Sequence, residues 1–225
     1  MRIDILSIFP GVFEGYFGES IIGRALAKKI LDIRVHGLRR WSPDKRHSKV
    51  DDRPFGGGPG MVMAVEPFFR ALRFLKALKG SRARGTRVIL MSAKGKRFMH
   101  ADAVRLAKCR RLVLLCGRYE GVDERVAKHL CDEEISIGDF VLTGGELPAM
   151  MIVDAVARHI PGVLGKAESL AEESHSEEGV TEYPQYTRPE VFVPKKGKKW
   201  AVPEILLSGD HKKIAAWHRK EQGRL

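Results

Sequence analysis

Cysteine is scarce in this sequence, with three residues in 225. Cys109, Cys116 and Cys131 are widely spaced and form no C-x-x-C pair. This spacing argues against a disulfide framework and against a zinc site. Free cysteine behaves as a small apolar residue and is often buried, so we expect all three side chains to be buried in the core.

Long apolar runs are also absent. No run reaches the roughly 18 residues that a membrane-spanning helix needs. The first six residues contain an acid and lack an Ala-x-Ala-like cleavage site, so they do not indicate a signal peptide. We therefore expect no membrane partner and a soluble protein located in the cytoplasm.

Several well-known site motifs are missing as well. No G-x-G-x-x-G follows an apolar run, and there is no G-x-x-x-x-G-K-[ST]. Their absence argues against a Rossmann dinucleotide site and a Walker-type phosphate site. There is also no H-E-x-x-H, G-x-S-x-G or paired Cys/His cluster, which argues against zinc-hydrolase and serine-hydrolase chemistry.

Positive charge, in contrast, is abundant and unevenly distributed. The net charge is +12, from 40 basic and 28 acidic residues. Residues 24–53 hold ten Lys or Arg against four acids, and residues 194–225 hold nine against three. Residues 166–190 reverse the sign, with seven Glu against two basic residues. Such a balance favours a polyanionic partner, usually nucleic acid, although a solvated basic surface is the simpler alternative.

Short apolar runs alternate with segments that have apolar residues at helical spacing. This alternation predicts an α/β domain with a mostly parallel sheet and flanking helices. We expect that domain to span residues 1–162. An acidic linker without clear periodicity should follow over 163–186, and a small helical domain over 187–225. The expected strands lie at 2–9, 33–38, 88–91, 112–116 and 134–137, and a long helix should begin near Glu146.

Glycine is concentrated in three turns, at residues 56–60, 117–121 and 138–145. The second and third turns follow apolar runs, where open α/β sheets place their ligand sites. Backbone N–H and C=O groups exposed there could bind a planar heterocycle or a ribose. The alternative is that they are only tight turns in a compact sheet.

These turns belong to longer motifs that resemble one known family. Gly117-Arg118-Tyr119-Glu120-Gly121-Val122-Asp123-Glu124-Arg125, the run from Ile135 to Pro148, and Arg158-x-Ile160-Pro161-Gly162 closely resemble bacterial tRNA (guanine-N(1)-)-methyltransferases of the TrmD type. The resemblance extends in order over nearly the whole chain. It implies a SPOUT-superfamily fold with a deep trefoil knot in the α/β domain. It also implies an obligate homodimer whose active sites are completed across the subunit interface.

The activity implied by the resemblance is methyl transfer from S-adenosyl-L-methionine to N1 of guanosine 37 in tRNA, beside the anticodon, which helps to maintain the reading frame. Two alternatives remain. They are a related knotted methyltransferase acting on another RNA site, and a non-catalytic RNA-binding member of the fold. The cofactor-binding residues implied by the motifs are Leu90, Met91, Ser92, Gly117, Arg118, Tyr119, Glu120, Gly121, Ser136, Ile137, Gly138, Asp139, Phe140, Val141, Leu142, Thr143, Gly144, Gly145 and Pro148.

The resemblance also implies two catalytic residues. Guanine N1 carries a proton near neutral pH, so a general base must remove it, and a cation should stabilise the charge that develops on O6. The family pattern assigns the cation to Arg158 and the base to an Asp of an E-D-S-F stretch. Here that stretch reads Glu172-Glu173-Ser174-His175, so Glu173 is the candidate base, with Glu172 and His175 as alternatives. Family members are reported to depend on Mg²⁺; Glu120 or another acid near the site could take part, but the sequence indicates no ligand set.

Overall fold

A computed structural model describes residues 1–165, 174 and 179–224 of the chain. The chain divides into two compact units, Met1–Gly165 and Lys166–Leu225. The first unit thus ends at Gly165, slightly beyond the domain end expected at residue 162. Each unit is described separately.

The first unit is built on a parallel sheet. Five strands are hydrogen-bonded in the order β2-β1-β6-β5-β7, and every neighbouring pair is parallel. A separate antiparallel pair is formed by β3 and β4. This arrangement confirms the predicted α/β class with a mostly parallel sheet. The strands are β1 (Arg2–Ser7), β2 (Asp32–Gly37), β3 (Asp51–Asp52), β4 (Val62–Met63), β5 (Thr86–Arg97), β6 (Arg111–Cys116) and β7 (Glu133–Ser136).

Helices cover both faces of this sheet, as βαβ connections require. Residues on β1 alternate between two apolar cores, with Ile3 and Ile5 in one and Leu6 in the other. The first core is closed mainly by α2, α4 and α5, and the second by α3. The helices of the unit are α1 (Glu14–Phe17), α2 (Ser20–Ala27), α3 (Val65–Phe74), α4 (His100–Ala107) and α5 (Glu146–Arg158), with 3₁₀ turns at Pro10–Phe13 and Leu38–Trp41 and a π-helical turn at Val126–Leu130.

The main difference from the expected elements concerns β5. The sequence predicts a short strand over 88–91, but β5 continues to Arg97. It pairs with β7 twice, at Met91 with Ile135 and again at Lys96 with Ile135, with an irregularity between. The polar run after Met91 has no apolar alternation, so only this second pairing makes it a strand.

Asp4 is buried in the middle of the sheet and accepts hydrogen bonds from three neighbouring side chains. Arg2 Nε and Arg111 Nε donate to Oδ2 at 2.8 and 2.7 Å, and His36 Nε2 lies 2.7 Å from Oδ1. Burial alone would raise the pKa of Asp4. The bonds from His36 and Arg2 and the charge of Arg111 outweigh burial and hold this pKa well below its usual range.

The cysteines are all free thiols, as expected. Cys116 and Cys131 are buried, whereas Cys109 is only partly buried. Burial raises the pKa of the Cys131 thiol to about 12. A thiol so rarely ionised is a poor nucleophile, which agrees with a packing role.

The second unit combines helices with a β-hairpin. The predicted helical segments are present, but the hairpin formed by β9 and β10 was missed. None of the described residues of this unit is fully buried. Its elements are β8 (Val180–Thr181), β9 (Val191–Lys195), β10 (Lys198–Ala201), α6 (Glu204–Leu207), α7 (His211–Glu221) and β11 (Gly223–Arg224), and β8 pairs with β11.

Candidate active site

A cavity of about 390 Å³ opens beside Leu90–Lys94, in the middle of β5, and at the carboxyl ends of β6 and β7. This is the edge of an open α/β sheet where ligands generally bind. Most of the predicted cofactor residues line it. They are Leu90, Met91, Ser92, Gly117, Arg118, Tyr119, Glu120, Gly121, Ser136, Ile137, Phe140, Val141, Leu142, Thr143, Gly144, Gly145 and Pro148.

Two predicted cofactor residues do not line the cavity. Gly138 bends the chain with a φ of +158°, and its N–H donates to Ser136 Oγ at 3.3 Å. Asp139 is almost fully exposed and lies 3.8 Å from the guanidinium of Arg97. Both belong to the turn that shapes the wall, rather than to the wall itself.

Sequence reasoning also missed several residues of the wall. Lys94 reaches the cavity because β5 extends beyond its apolar part, so no local pattern marks it. Val122 and Glu124 continue the motif that begins at Gly117, which is a signal that could have found them. The full set of additional lining residues is Ala93, Lys94, Val122, Glu124, Ala127, Glu134 and Ile135.

Two glycines allow the strands and turns around the cavity to approach closely. A Cβ on Gly145 would lie 2.8 Å from Cys116 Cα and 2.9 Å from the N atom of Gly117. A Cβ on Gly95 would lie 2.6 Å from the backbone of Glu134 and Ile135. Such distances are too short for real side chains. The glycines therefore serve backbone packing here, and Gly145 N–H donates to Gly117 O at 2.8 Å.

Arg118 is held in the cavity wall by a buried carboxylate. Its Nε donates to Glu146 Oε2 at 3.1 Å, and Ser7 Oγ donates to Glu146 Oε1 at 2.6 Å. The guanidinium carbon of Arg118 lies 4.7 Å from the ring centre of Phe9, within cation–π range. Glu146 is only 3% exposed and begins α5. The end of β1 thus orients a cavity residue through the first turn of α5.

The glycine-rich loop at 56–60 is tied to the same cavity. Glu120 N–H donates to Met61 O at 3.0 Å, and Met63 N–H donates to Gly121 O at 2.9 Å. A Cβ on Gly60 would lie 2.5 Å from Glu120 Oε1. Because Glu120 lines the cavity, the loop meets its rim.

Arg158, one of the two predicted catalytic residues, is not among the residues that line this cavity in its own chain. Arg158 ends α5, whereas Pro148 at the start of the same helix lines the cavity. Ten residues of α-helix separate their Cα atoms by about 15 Å, more than an arginine side chain spans. Glu173 and its alternatives Glu172 and His175 lie outside the described residues.

Within residues 1–165, 174 and 179–224, no three His, Cys, Asp or Glu side chains group to hold a metal ion. Over the same residues, no helix has the length and apolar character needed to cross a membrane.

Comparison with known proteins gives one consistent result. The model of the family described as tRNA (Guanine-1)-methyltransferase TrmD matches residues 1–224. The tRNA (guanine-N(1)-)-methyltransferase of Citrifermentans bemidjiense is 51% identical over 224 residues, covering 100% of this chain and 86% of the relative. The enzyme of the same name from Dictyoglomus turgidum is 53% identical over 221 residues, covering 98% and 84%. A full-length match at this identity shows that the chain belongs to the tRNA (guanine-1)-methyltransferase family.

Proposed function

We propose that this protein transfers a methyl group from S-adenosyl-L-methionine to N1 of guanosine 37 in tRNA, in the cytoplasm, and so supports maintenance of the reading frame. The observation that carries the proposal is the cavity beside β5, β6 and β7. It gathers residues from three separate motifs of the family, around 90, 117 and 136, into one wall.

The cavity suits the proposed methyl donor. Its volume of about 390 Å³ lies within the range of about 300–1,000 Å³ that small-molecule sites occupy. Backbone of the turns at Gly117–Gly121 and Thr143–Gly144 lines the cavity and can face a purine or a ribose, and Leu90, Ile137 and Leu142 offer apolar surface. When bound there, the sulfonium of the donor would supply an electrophilic methyl carbon.

The remaining chemistry concerns the guanine. Glu173 accepts the proton from N1–H, and the N1 lone pair then forms the bond to the methyl carbon as the carbon–sulfur bond breaks. Arg158 stabilises the negative charge that moves to O6, because a fixed cation at that oxygen lowers the free energy of the transition state. Glu172 and His175 are the alternative bases.

The position of Arg158 supports an active site shared between two chains. Since Arg158 does not line the cavity of its own chain, we propose a homodimer in which Arg158 serves the partner's cavity. α5 presents an exposed apolar face, with Leu147 at 57% and Met151 at 52% exposure. Asp154, one turn further along the same face, accepts a hydrogen bond from Tyr16. An unpaired apolar helix face of this kind fits a subunit interface.

We also propose that the chain is knotted in the first unit and that the second unit binds tRNA, with residues 163–186 as the acidic linker that carries Glu173. The double pairing of β5 with β7 and the close packing of Gly95 and Gly145 support the knot, because both bring chain segments together after a long excursion. Single-molecule stretching from residues 80 and 165 tests it. A knotted chain should reach less than its full contour length of about 3.6 Å per residue, whereas the full length would exclude the knot.

The activity is tested with tritiated S-adenosylmethionine and tRNA transcripts that carry guanosine or adenosine at position 37. Label only in the guanosine transcript is the expected result. Label in both transcripts would indicate another target site, and label in neither, despite tRNA binding, would indicate a non-catalytic protein. Glu173→Gln should abolish labelling while Glu172→Gln retains it, and full activity of Glu173→Gln would reject the assigned base.

The shared site is tested by complementation. Arg158→Ala and Gly145→Ala, the second with an obstructed cavity, should each be nearly inactive as homodimers at low cofactor concentration. When the two variants are co-expressed in equal amounts, half of the dimers should be mixed. Each mixed dimer keeps one of its two sites intact, so about one quarter of the wild-type activity should return. No recovery in purified mixed dimers would contradict the shared site.

A further inference from the structure

The hairpin of the second unit is unusually exposed. β9 and β10 are joined by a two-residue turn at Lys196 and Gly197, where Gly197 has a φ of +83°. All nine residues of the two strands are exposed. An isolated two-stranded hairpin is only marginally stable in water. A bound partner would therefore stabilise a ribbon that is exposed on both faces.

Four lysines surround the tip of this hairpin. They are Lys195, Lys196, Lys198 and Lys199, four of five consecutive residues. Among the described residues, none of their ammonium groups lies within ion-pair distance of a carboxylate. Lys195 is paired directly with Lys198 across the strands, which is unfavourable for like charges. A polyanion bound at the tip would relieve this repulsion.

One face of the same hairpin is aromatic. Phe192 and Trp200 are cross-strand partners, so both side chains project from the same face. Their ring centres lie 5.6 Å apart, and the rings are 49% and 56% exposed. Lys198 Nζ lies 5.6 Å from the centre of the Trp200 ring. Flat exposed rings beside unpaired cations form the kind of surface on which nucleobases stack.

We propose that the β9–β10 hairpin is a ribbon that binds the tRNA substrate away from the target guanosine. The four lysines contact backbone phosphates, and the Phe192–Trp200 face stacks on an accessible base. β9 and β10 contain no acid or histidine that could act as a base, so the hairpin contributes affinity rather than chemistry. The inference rests on the proposed function, because it takes tRNA as the substrate.

The test changes all four hairpin lysines to Gln in the full-length protein. A matched control changes four exposed lysines of the first unit, Lys28, Lys76, Lys79 and Lys108, and so removes the same charge. Binding of unmodified tRNA transcript is measured by fluorescence anisotropy over a series of salt concentrations. A third variant, with Arg at the four hairpin positions, retains the charge.

The hairpin variant should bind tRNA at least about tenfold more weakly than the control at low salt. The slope of log K against log salt should become shallower by about 3, since each phosphate contact contributes roughly 0.7 to 0.9. The Arg variant should keep both affinity and slope. KM for tRNA should rise while kcat at saturating tRNA stays unchanged. Trp200→Leu should weaken binding by about fivefold or more without changing the slope.

Equal affinity and slope in the hairpin and control variants would overturn the inference, while labelling of guanosine 37 by the wild type would leave the proposed function standing. A change in sedimentation mass with unchanged tRNA affinity would likewise overturn it and indicate a protein partner on the hairpin. Conversely, hairpin-dependent tRNA binding by a wild type that labels no guanosine 37 would support the hairpin and reject the proposed reaction.

Discussion

Arg118 and Glu146 join the two glycine-rich turns of the cavity through one charged hydrogen bond, at 3.1 Å from Nε to Oε2. The turn after β6 carries Arg118, and the turn after β7 leads into Glu146. Gly144 stands between them, since a Cβ there would lie 2.3 Å from Arg118 Nε. The shape of the cavity thus depends on a pair that neither turn could form alone.

Replacing Glu146 with Gln should weaken cofactor binding by about tenfold or more. The change keeps the side-chain shape but removes the charge, and hydrogen bonds to charged groups contribute about 1.5–3 kcal/mol. Arg118 is then no longer held in the wall. Titration calorimetry with S-adenosylmethionine measures the effect. Ser7→Ala is the control, because it removes the other bond to the carboxylate and leaves the ion pair, so it should change affinity much less. Unchanged affinity in Glu146→Gln would contradict this role.

Replacing Gly145 with Ala should lower the free energy of unfolding by about 1–3 kcal/mol, since the added methyl group meets backbone on two sides and a side chain on the third. The same displacement should obstruct the cavity and reduce cofactor affinity. Urea denaturation and calorimetry measure the two effects. At Gly15 a Cβ meets nothing within 4 Å, so Gly15→Ala should be neutral or slightly stabilising. Equal stability of Gly145→Ala and Gly15→Ala would show that the turn at Gly145 rearranges to accommodate the methyl group.

Replacing Asp4 with Asn should destabilise the first unit by about 3 kcal/mol at pH 7, because it leaves buried arginine charge without its partner. The pKa of Asp4 is lowered on folding, so the carboxylate stabilises the protein above its unfolded-state pKa of about 3.9 and loses that contribution as the pH falls further. The difference between wild type and variant should therefore shrink below about pH 4.

Urea denaturation from pH 7 to pH 3 measures this pH dependence. Asp32→Asn provides the control, because Asp32 and Arg34 form a pair that is about half exposed and should contribute less than about 1 kcal/mol. A difference between wild type and Asp4→Asn that stays constant over the whole pH range would mean that Asp4 does not titrate as described.

Replacing Met151 with Glu should separate the proposed dimer into monomers. The exposed apolar face of α5 would then place a charge in the interface, where an unpaired carboxylate is strongly unfavourable. Analytical ultracentrifugation at micromolar concentration measures the mass. Phe74→Glu on α3 changes another largely exposed apolar residue and should leave the mass unchanged. If the wild type itself sediments as a monomer, the shared active site is wrong.

Much of the secondary structure of the first unit can be predicted from the local sequence pattern. Parallel strands that are buried on both faces are read as continuous apolar runs, and the run at 112–116 became β6 almost without change. The helix beginning at Glu146, with Pro148 in its first turn, also agrees with expectation. The wall of the cavity was largely predicted because its motifs are contiguous in sequence and lie where strands end.

The failures share one cause. β9 and β10 contain Pro194 and three lysines and have no buried face, so the alternation that marks a half-buried strand is missing. The end of β5 was missed for a similar reason. Its residues are polar, and they form a strand only because β7 lies beside them.

The sequence by itself determined the α/β class, the basic charge, the positions of the glycine turns and the family, because these depend on residue type and on spacing within a short segment. Only the tertiary structure decided that Glu146 is buried between Ser7 and Arg118, that Gly145 rests on Cys116, and that Arg158 lies a helix length from the cavity-lining Pro148 of its own chain. Those relationships join residues far apart in the chain, and their energies arise from burial and close contact, which no local pattern records.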